Sequence, residues 1–366
     1  MSAFLRLACM CALACVRGAP AVSDAPDPCV DAVGAAEKAL TKINQDRQQG
    51  YIFSLHHLSN YNQAPHPKGS AGVIYFLVMD VLETKCHVLS REDWQSCEVR
   101  QTHETPVYGQ CKAFVSISQE QKDVRLYSYR CRMRPAPASK IGRLCPDCPS
   151  RIDMDSEEVL KAAKLSLEKY NMESGQPNYF ALLNITRASA QGGFGMFYFA
   201  EFTIQETVCA NSTDISQAPN CTLMDCEFAH KGLCKGSHSV ARGREYITVS
   251  CKIFEPEAAE KEKERHLLGG EHGHGHNHSH TPPAPPKRPL GTVVYLPARQ
   301  QQASLPPLPD SPPPFPSFTE EGLEEPPVTL LPLRFPPKEC SVAHSHSTFI
   351  QELFDEDLDF NQHILN

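Results

Sequence analysis

Two thiols, one carboxylate and two prolines are packed into Cys145-Pro146-Asp147-Cys148-Pro149, and the chemistry open to them is limited. Reduced, the Cys-x-x-Cys pair could exchange disulfides or supply half of a zinc knuckle. Neither reading fits well, because the chain has no second Cys-x-x-Cys and the loop does not open an obvious helix. Oxidised, the pair closes a tight loop in which Asp147 is the one remaining ionisable group and the prolines fix φ. Such a loop is either a structural staple or a stiff presentation of a single negative charge.

A second group with chemistry is His272, His274, His276, His278 and His280, which alternate with small or polar residues. Imidazoles are good ligands for zinc, copper and nickel, and a flexible chain can bring several to one ion without a prebuilt site. Weak adventitious binding is the alternative. No HExxH, GxSxG, Walker A or GxGxxG arrangement occurs, so the chain reads as a non-enzyme that needs no cofactor. A net charge of −8 with no basic patch argues against nucleic acid.

The elements that must position the loop repeat on either side of it. Leu40-Thr41-Lys42-Ile43-Asn44 returns as Leu167-Glu168-Lys169-Tyr170-Asn171, and Tyr51-Ile52-Phe53-Ser54-Leu55 returns loosely as Tyr179-Phe180-Ala181-Leu182-Leu183. Glu83-Thr84-Lys85-Cys86 matches Glu206-Thr207-Val208-Cys209, and Gly109-Gln110-Cys111-Lys112 matches Gly232-Leu233-Cys234-Lys235. Several matches in one order, at a slowly drifting offset, indicate two copies of one domain.

In each copy a helical pattern precedes strands. Ala36, Leu40 and Ile43 share one helix face, as do Leu160, Ala163, Leu167 and Tyr170, with Asp155 or Ser156 as N-cap and Glu157 and Glu158 suited to the helix dipole. The aromatic and β-branched runs Val73–Val78 and Met196–Phe202 follow the glycine-rich turns 69–72 and 192–195. The expected fold class is α+β: two tandem domains, each with one helix laid across an antiparallel sheet.

Residues 1–19 read as a signal peptide, with Arg6, an apolar run from Leu7 to Val16 too short to span a bilayer, and small Gly18 and Ala19 before a cleavage point. No later segment is apolar enough for insertion, so the expectation is a secreted, extracellular chain whose cysteines pair. The repeat suggests Cys86–Cys97, Cys111–Cys131, Cys209–Cys221 and Cys234–Cys251, although sequence alone does not fix connectivity. Cys145–Cys148 would close the linker, and Cys29–Cys340 would tie the end of the chain to its start, leaving Cys226 odd. Asn184, Asn211, Asn220 and Asn277 head glycosylation sequons, the one at Asn220 competing with disulfide formation at Cys221. The organisation expected is a signal peptide over 1–19, domains over 20–140 and 153–255, a linker over 141–152 and a tail over 256–366, in which frequent proline makes a packed core implausible.

Together these features resemble the fetuins of the cystatin superfamily. The resemblance is carried by Ile43-Asn44-Gln45-Asp46-Arg47, Val81-Leu82-Glu83-Thr84, Val107–Ala113, Cys145–Ser150, Thr186-Arg187-Ala188-Ser189 and Gly291–Pro297, and runs from about Cys29 to Phe254. The histidine tract departs from that family and is similar to histidine-rich glycoprotein, a sister family whose first domain also resembles Leu89–Trp94. What the resemblance implies is inhibition of astacin-type zinc endopeptidases, among them ovastacin and the meprins. In that reading Asp147 of the inhibitory loop Cys145, Pro146, Asp147, Cys148 and Pro149 binds the protease's catalytic zinc. The hairpin Gln191, Gly192, Gly193, Phe194, Gly195 and Met196 fills the cleft beside it, with a second hairpin around His238 to Glu245. A carboxylate oxygen at roughly 2.0–2.2 Å is a good ligand for the open position of a catalytic zinc.

Two other functions are implied by the same relationship. Cystatins inhibit papain-like proteases through Gln-x-Val-x-Gly, but Gln191-Gly192-Gly193-Phe194-Gly195 places Gly193 where valine belongs, and the first domain has no such motif. The other is a secreted metal-binding or calcium-phosphate-binding plasma glycoprotein, using the histidine tract or an acidic sheet that would include Asp80, Glu83, Glu92 and Asp93.

Overall fold

A computed structural model describes residues 28–66, 72–118, 124–193, 195–212, 221–225, 228–256, 288–299, 340 and 347–361. The proposed signal peptide, Phe194, Asn220, Cys226, Asn277 and His272–His280 lie outside these residues.

Helix α1 (Pro28–Asp46) buries Ala32, Ala35, Ala36, Ala39, Leu40 and Ile43, a stripe at helical spacing whose alanines let it lie close to a sheet. That sheet holds β1 (Tyr51–Pro65), β2 (Gly72–His87), β3 (Val107–Ser118) and β4 (Val124–Pro135) as an antiparallel meander. Helix α2 (Ala138–Leu144) and the two-residue strand β5 (Ser150–Arg151) flank the linker. Then the plan repeats as α3 (Glu157–Glu173), β6 (Asn178–Gly192), β7 (Met196–Ala210), β8 (Lys231–Ala241) and β9 (Arg244–Phe254), with β5 added at the β6 edge. Gly236 on β8 leaves the space that Ser166 of α3 occupies; a Cβ there would collide with the Ser166 side chain.

The same polar device closes both copies. The Asn44 side chain donates to Phe53 O at 2.8 Å and accepts from Phe53 N at 2.9 Å, and Asn171 makes the matching pair with Phe180, both at 2.9 Å. Thr84 Oγ1 donates to Ile52 O and Thr207 Oγ1 to Tyr179 O, each at 2.8 Å. Phe53 thus corresponds to Phe180 and Ile52 to Tyr179, which corrects by one residue the alignment read from the sequence. In a strand that slip exchanges the two faces. Leu160 is a second correction, being 47% exposed while Val159, Ala162, Ala163 and Leu167 face the sheet. Ser156 is the residue at the α3 N-cap, but its side chain makes no capping bond.

Disulfides join Cys86–Cys97, Cys111–Cys131, Cys209–Cys221, Cys234–Cys251, Cys145–Cys148 and Cys29–Cys340. Asn184 is exposed and Asn211 half-buried.

The reading of 256–366 as a tail without packing fails for two segments. Strand β10 (Gly291–Tyr295) pairs parallel with β4, completing the order β1-β2-β3-β4-β10. Helices α4 (Thr348–Glu356) and α5 (Leu358–Asn361) bury Phe349, Ile350, Leu353, Phe354 and Phe360 against Leu82, Tyr108, Ala136 and Ile141. The first sheet is therefore covered on both faces: Phe53 and Leu55 of β1 belong to the cluster under α1, while His56 stacks on Phe354.

Candidate inhibitory surface and its relatives

The linker loop is a β-turn closed by its own disulfide. Cys148 N donates to Cys145 O at 3.2 Å, which puts Pro146 at the second position of the turn, where its fixed φ is favoured, and Asp147 at the third. Asp147 is exposed at the apex, and among the described residues its carboxylate has no hydrogen-bond or ion-pair partner. The loop is held from both sides. On the first-domain side Cys145 N donates to Ile141 O at 2.8 Å. On the second, Ser150 and Arg151 pair with Ala190 and Ser189, and the Gln191 side chain donates to Asp147 O at 2.7 Å.

Gln191 belongs to the first hairpin expected from the sequence, so that single bond brings the linker loop beside the β6–β7 tip. Gly192 faces Met196 across the hairpin, and Gly195 lies so close to the Val240 carbonyl that a Cβ would clash. The β8–β9 tip is a two-residue turn, Arg242 and Gly243 having φ of 52° and 72°, the left-handed pair that matches strand twist. His238 Nε2 and Glu245 Oε1 meet across this hairpin at 2.7 Å, and Lys161 pairs with Glu245 at 3.2 Å. Because β7 pairs with β8, the two tips stand side by side. Met196, Val240 and Tyr246 are exposed there, giving an apolar rim next to a lone carboxylate.

The residues that hold this row in place were not singled out as such from the sequence. Arg100 is 2% exposed and sits between the domains. Its Nη1 and Nη2 donate to the two oxygens of Glu201 at 3.1 and 2.9 Å, its Nε donates to Glu83 at 3.3 Å, and its guanidinium lies 4.3 Å from the Tyr51 ring centre. Arg187 donates to Glu83 at 3.3 Å, to Thr105 O at 2.6 Å and to Glu104 O. The Tyr51 hydroxyl bonds Glu201 and Thr186, and Tyr295 of β10 reaches Glu83 at 3.4 Å. Lys252 and Glu92 form a further ion pair between the domains. The available clue was an acid or arginine inside each strand-like run, which is costly to bury unless paired.

This consumes the acidic sheet suggested by the sequence. Glu83 is buried in the interdomain network, Glu92 is paired with Lys252, and Asp93 caps a short turn by accepting from Gln95 N. Asp80 accepts from Ser59 and Gln110 at 3.2 and 3.1 Å. These four carboxylates do not make one open mineral-binding face.

Burial pushes the Glu201 carboxyl up, but Arg100 overcomes that and holds it at about 2. Burial lowers His87 to about 4, helped by Arg47. Both groups destabilise the fold as pH falls. Unfolded His87 takes up a proton near 6.5 that the folded site refuses until about 4, and unfolded Glu201 protonates near 4.5 while the folded one stays charged to about 2. Melting temperature is therefore expected to fall from pH 6.5 downward, Glu201 alone accounting for a loss on the order of 3 kcal/mol by pH 2. In Glu201→Gln the fall below pH 4.5 should become shallower. An unchanged slope there would remove Glu201 from the account.

The cystatin domain family model matches residues 20–118 and 147–241, one match on each repeat. Human fetuin-B is 37% identical over 277 residues, covering 73% of this chain and 70% of that one. The chain belongs to the fetuin branch of the cystatin family. Two solved structures are similar to this fetuin over about three quarters of the chain. Mouse fetuin-B in complex with crayfish astacin matches with a TM-score of 0.55 and 29% identity, over 76% of this chain and 74% of that one. Mouse fetuin-B in an inhibitory complex with human meprin beta matches with a TM-score of 0.57 and 28% identity, over 76% and 77%. Two of the stretches that carried the family resemblance, around Glu83 and around Arg187, are the ones that meet in the interdomain network.

Proposed function

We propose that this fetuin is an exported inhibitor of astacin-type zinc endopeptidases, with Asp147 as the ligand that takes the protease's catalytic zinc. The observation that carries the reading is the row formed by the Asp147 turn and the two hairpin tips of the second domain, linked by the Gln191 to Asp147 bond. A turn closed by a disulfide and fixed by prolines loses little entropy on docking, and among the described residues its carboxylate has no partner to give up. Met196, Val240 and Tyr246 offer apolar surface to the cleft on one side of the zinc. The relatives seen with astacin and with meprin beta support the same class of target. Export fits the six disulfides, and among the described residues no helix is long and apolar enough to cross a membrane.

The test is a parallel titration of the purified full chain against crayfish astacin and against papain. Inhibition of astacin with none of papain is expected; the reverse would return the reading to the Gln191–Gly195 hairpin acting alone. Cys145→Ser with Cys148→Ser should keep the fold and weaken astacin inhibition by about 3- to 10-fold, the size of a modest preorganisation loss. Unchanged inhibition would mean that the prolines and flanking elements suffice.

A further inference from the structure

Helices α4 and α5 close the face of the first sheet that α1 leaves open, but their contacts reach beyond it. Ile141 of α2 lies in the same apolar cluster as Phe349, Ile350, Leu353 and Phe354, and Cys148 of the loop packs against that cluster. Lys140 Nζ pairs with Glu356 at 2.7 Å, and Arg299, just past β10, donates to Glu356 O at 2.6 Å. With only seven residues α2 is too short to persist by its own hydrogen bonds, so its position is set by what it packs against. The loop starts from it directly through the Cys145 to Ile141 bond.

The helices are themselves locked to the sheet. Asp357 is 1% exposed and accepts from the Tyr108 hydroxyl at 2.9 Å and from Arg134 Nη1 at 2.5 Å, while Arg134 Nη2 donates to Asp359 at 2.6 Å. Gln110 donates to Phe360 O at 3.2 Å, and Phe354 stacks on His56 with ring centres 5.0 Å apart. An apolar cluster joined to a buried ion pair gives a docked state that is hard to loosen gradually.

We infer that the C-terminal helices are a positioning brace for the Asp147 loop. They pin α2 and hence Cys145, so that the loop is fixed at its first-domain end as firmly as β5 and Gln191 fix its second. The brace acts through the loop and touches no protease. This inference rests on the inhibitory role proposed for Asp147, but its structural half can be measured without any protease.

The experiment uses the full chain carrying Leu353→Ala with Phe354→Ala, which undocks the helices, and separately Ile141→Ala, which leaves them docked but removes their apolar hold on α2. Amide hydrogen exchange at Cys145 and Cys148 should quicken at least tenfold in both, while the Phe180 amide, held by Asn171 in the other domain, keeps its parental rate. Inhibition of astacin should weaken about tenfold, mainly through faster dissociation. Combined with Asp147→Ala, either change should cost nothing further. Loop amides at the parental rate in the Ile141→Ala protein would overturn the brace, and so would losses that add to that of Asp147→Ala. If Asp147→Ala leaves inhibition intact, the zinc-ligand reading fails on its own, and the exchange rates still decide whether the helices steady the loop.

Discussion

Asp147→Ala should lose most astacin inhibition, by about 30-fold or more, while the protein melts where the parent does. Removing one partner of a desolvated charge contact typically costs about 2–5 kcal/mol, and each 1.4 kcal/mol is about a factor of ten in affinity. The fold should not notice the change, because the side chain is exposed at a turn apex and has no bond to any described residue. Asp147→Asn separates charge from shape: the amide keeps the size and an oxygen donor but lacks the negative charge that a zinc ion favours. It should fall between parent and alanine. Measured inhibition constants for both variants at parental level would end the zinc-ligand mechanism and leave the hairpin tips as the whole inhibitory surface.

Arg100→Met is expected to have the largest effect on stability, about 3–5 kcal/mol, since it takes from Glu201 its two-pronged partner, leaving the Tyr51 hydroxyl and the half-exposed Lys235 at 3.7 Å, and leaves Glu83 with Arg187 as its buried cationic partner among the described residues. Burial works against the Arg100 charge, but Glu201 and Glu83 more than offset it and hold its pKa up. The same substitution should weaken inhibition, because the Asp147 turn and the second-domain tips act together only while the domains keep one mutual orientation. Adding Glu201→Met should restore part of both losses, as replacing a buried pair by apolar groups is often close to neutral. Calorimetry and inhibition measured on the single and double variants check this. A single variant that melts like the parent would show that the remaining interdomain bonds, among them Arg187 to Glu83 and Lys252 to Glu92, set the domain arrangement without Arg100.

What could be read without coordinates was local. The Asp147 turn needs only residues 145–148, whose prolines and paired cysteines allow few backbone shapes. The helix stripes and the strand runs are periodic over short windows, and the duplication shows because both copies keep the same helix, strand and cysteine order. The errors were of one residue where a strand permits them: the offset between Phe53 and Phe180 is set by the bonds of Asn44 and Asn171, which no hydrophobic pattern reveals. Leu160 misled because a helix face is wide enough to include it, and the sheet selects Val159 instead.

The amino-acid order by itself determined that two helix-on-sheet domains flank a stiff, acidic, disulfide-closed turn, because turn chemistry, cysteine spacing and hydrophobic period act over a few residues. Only the tertiary structure decided what that turn stands next to. The carboxylates at Glu83 and Glu201 look like surface charges until the domains meet around Arg100. Gly291–Tyr295 and Thr348–Asn361 look like parts of a proline-rich tail until β4 and the open face of the first sheet give them something to pair with and pack on. Those choices depend on groups far apart in the chain. Their energy comes from burying apolar surface and matching charges that do not meet until the chain has folded.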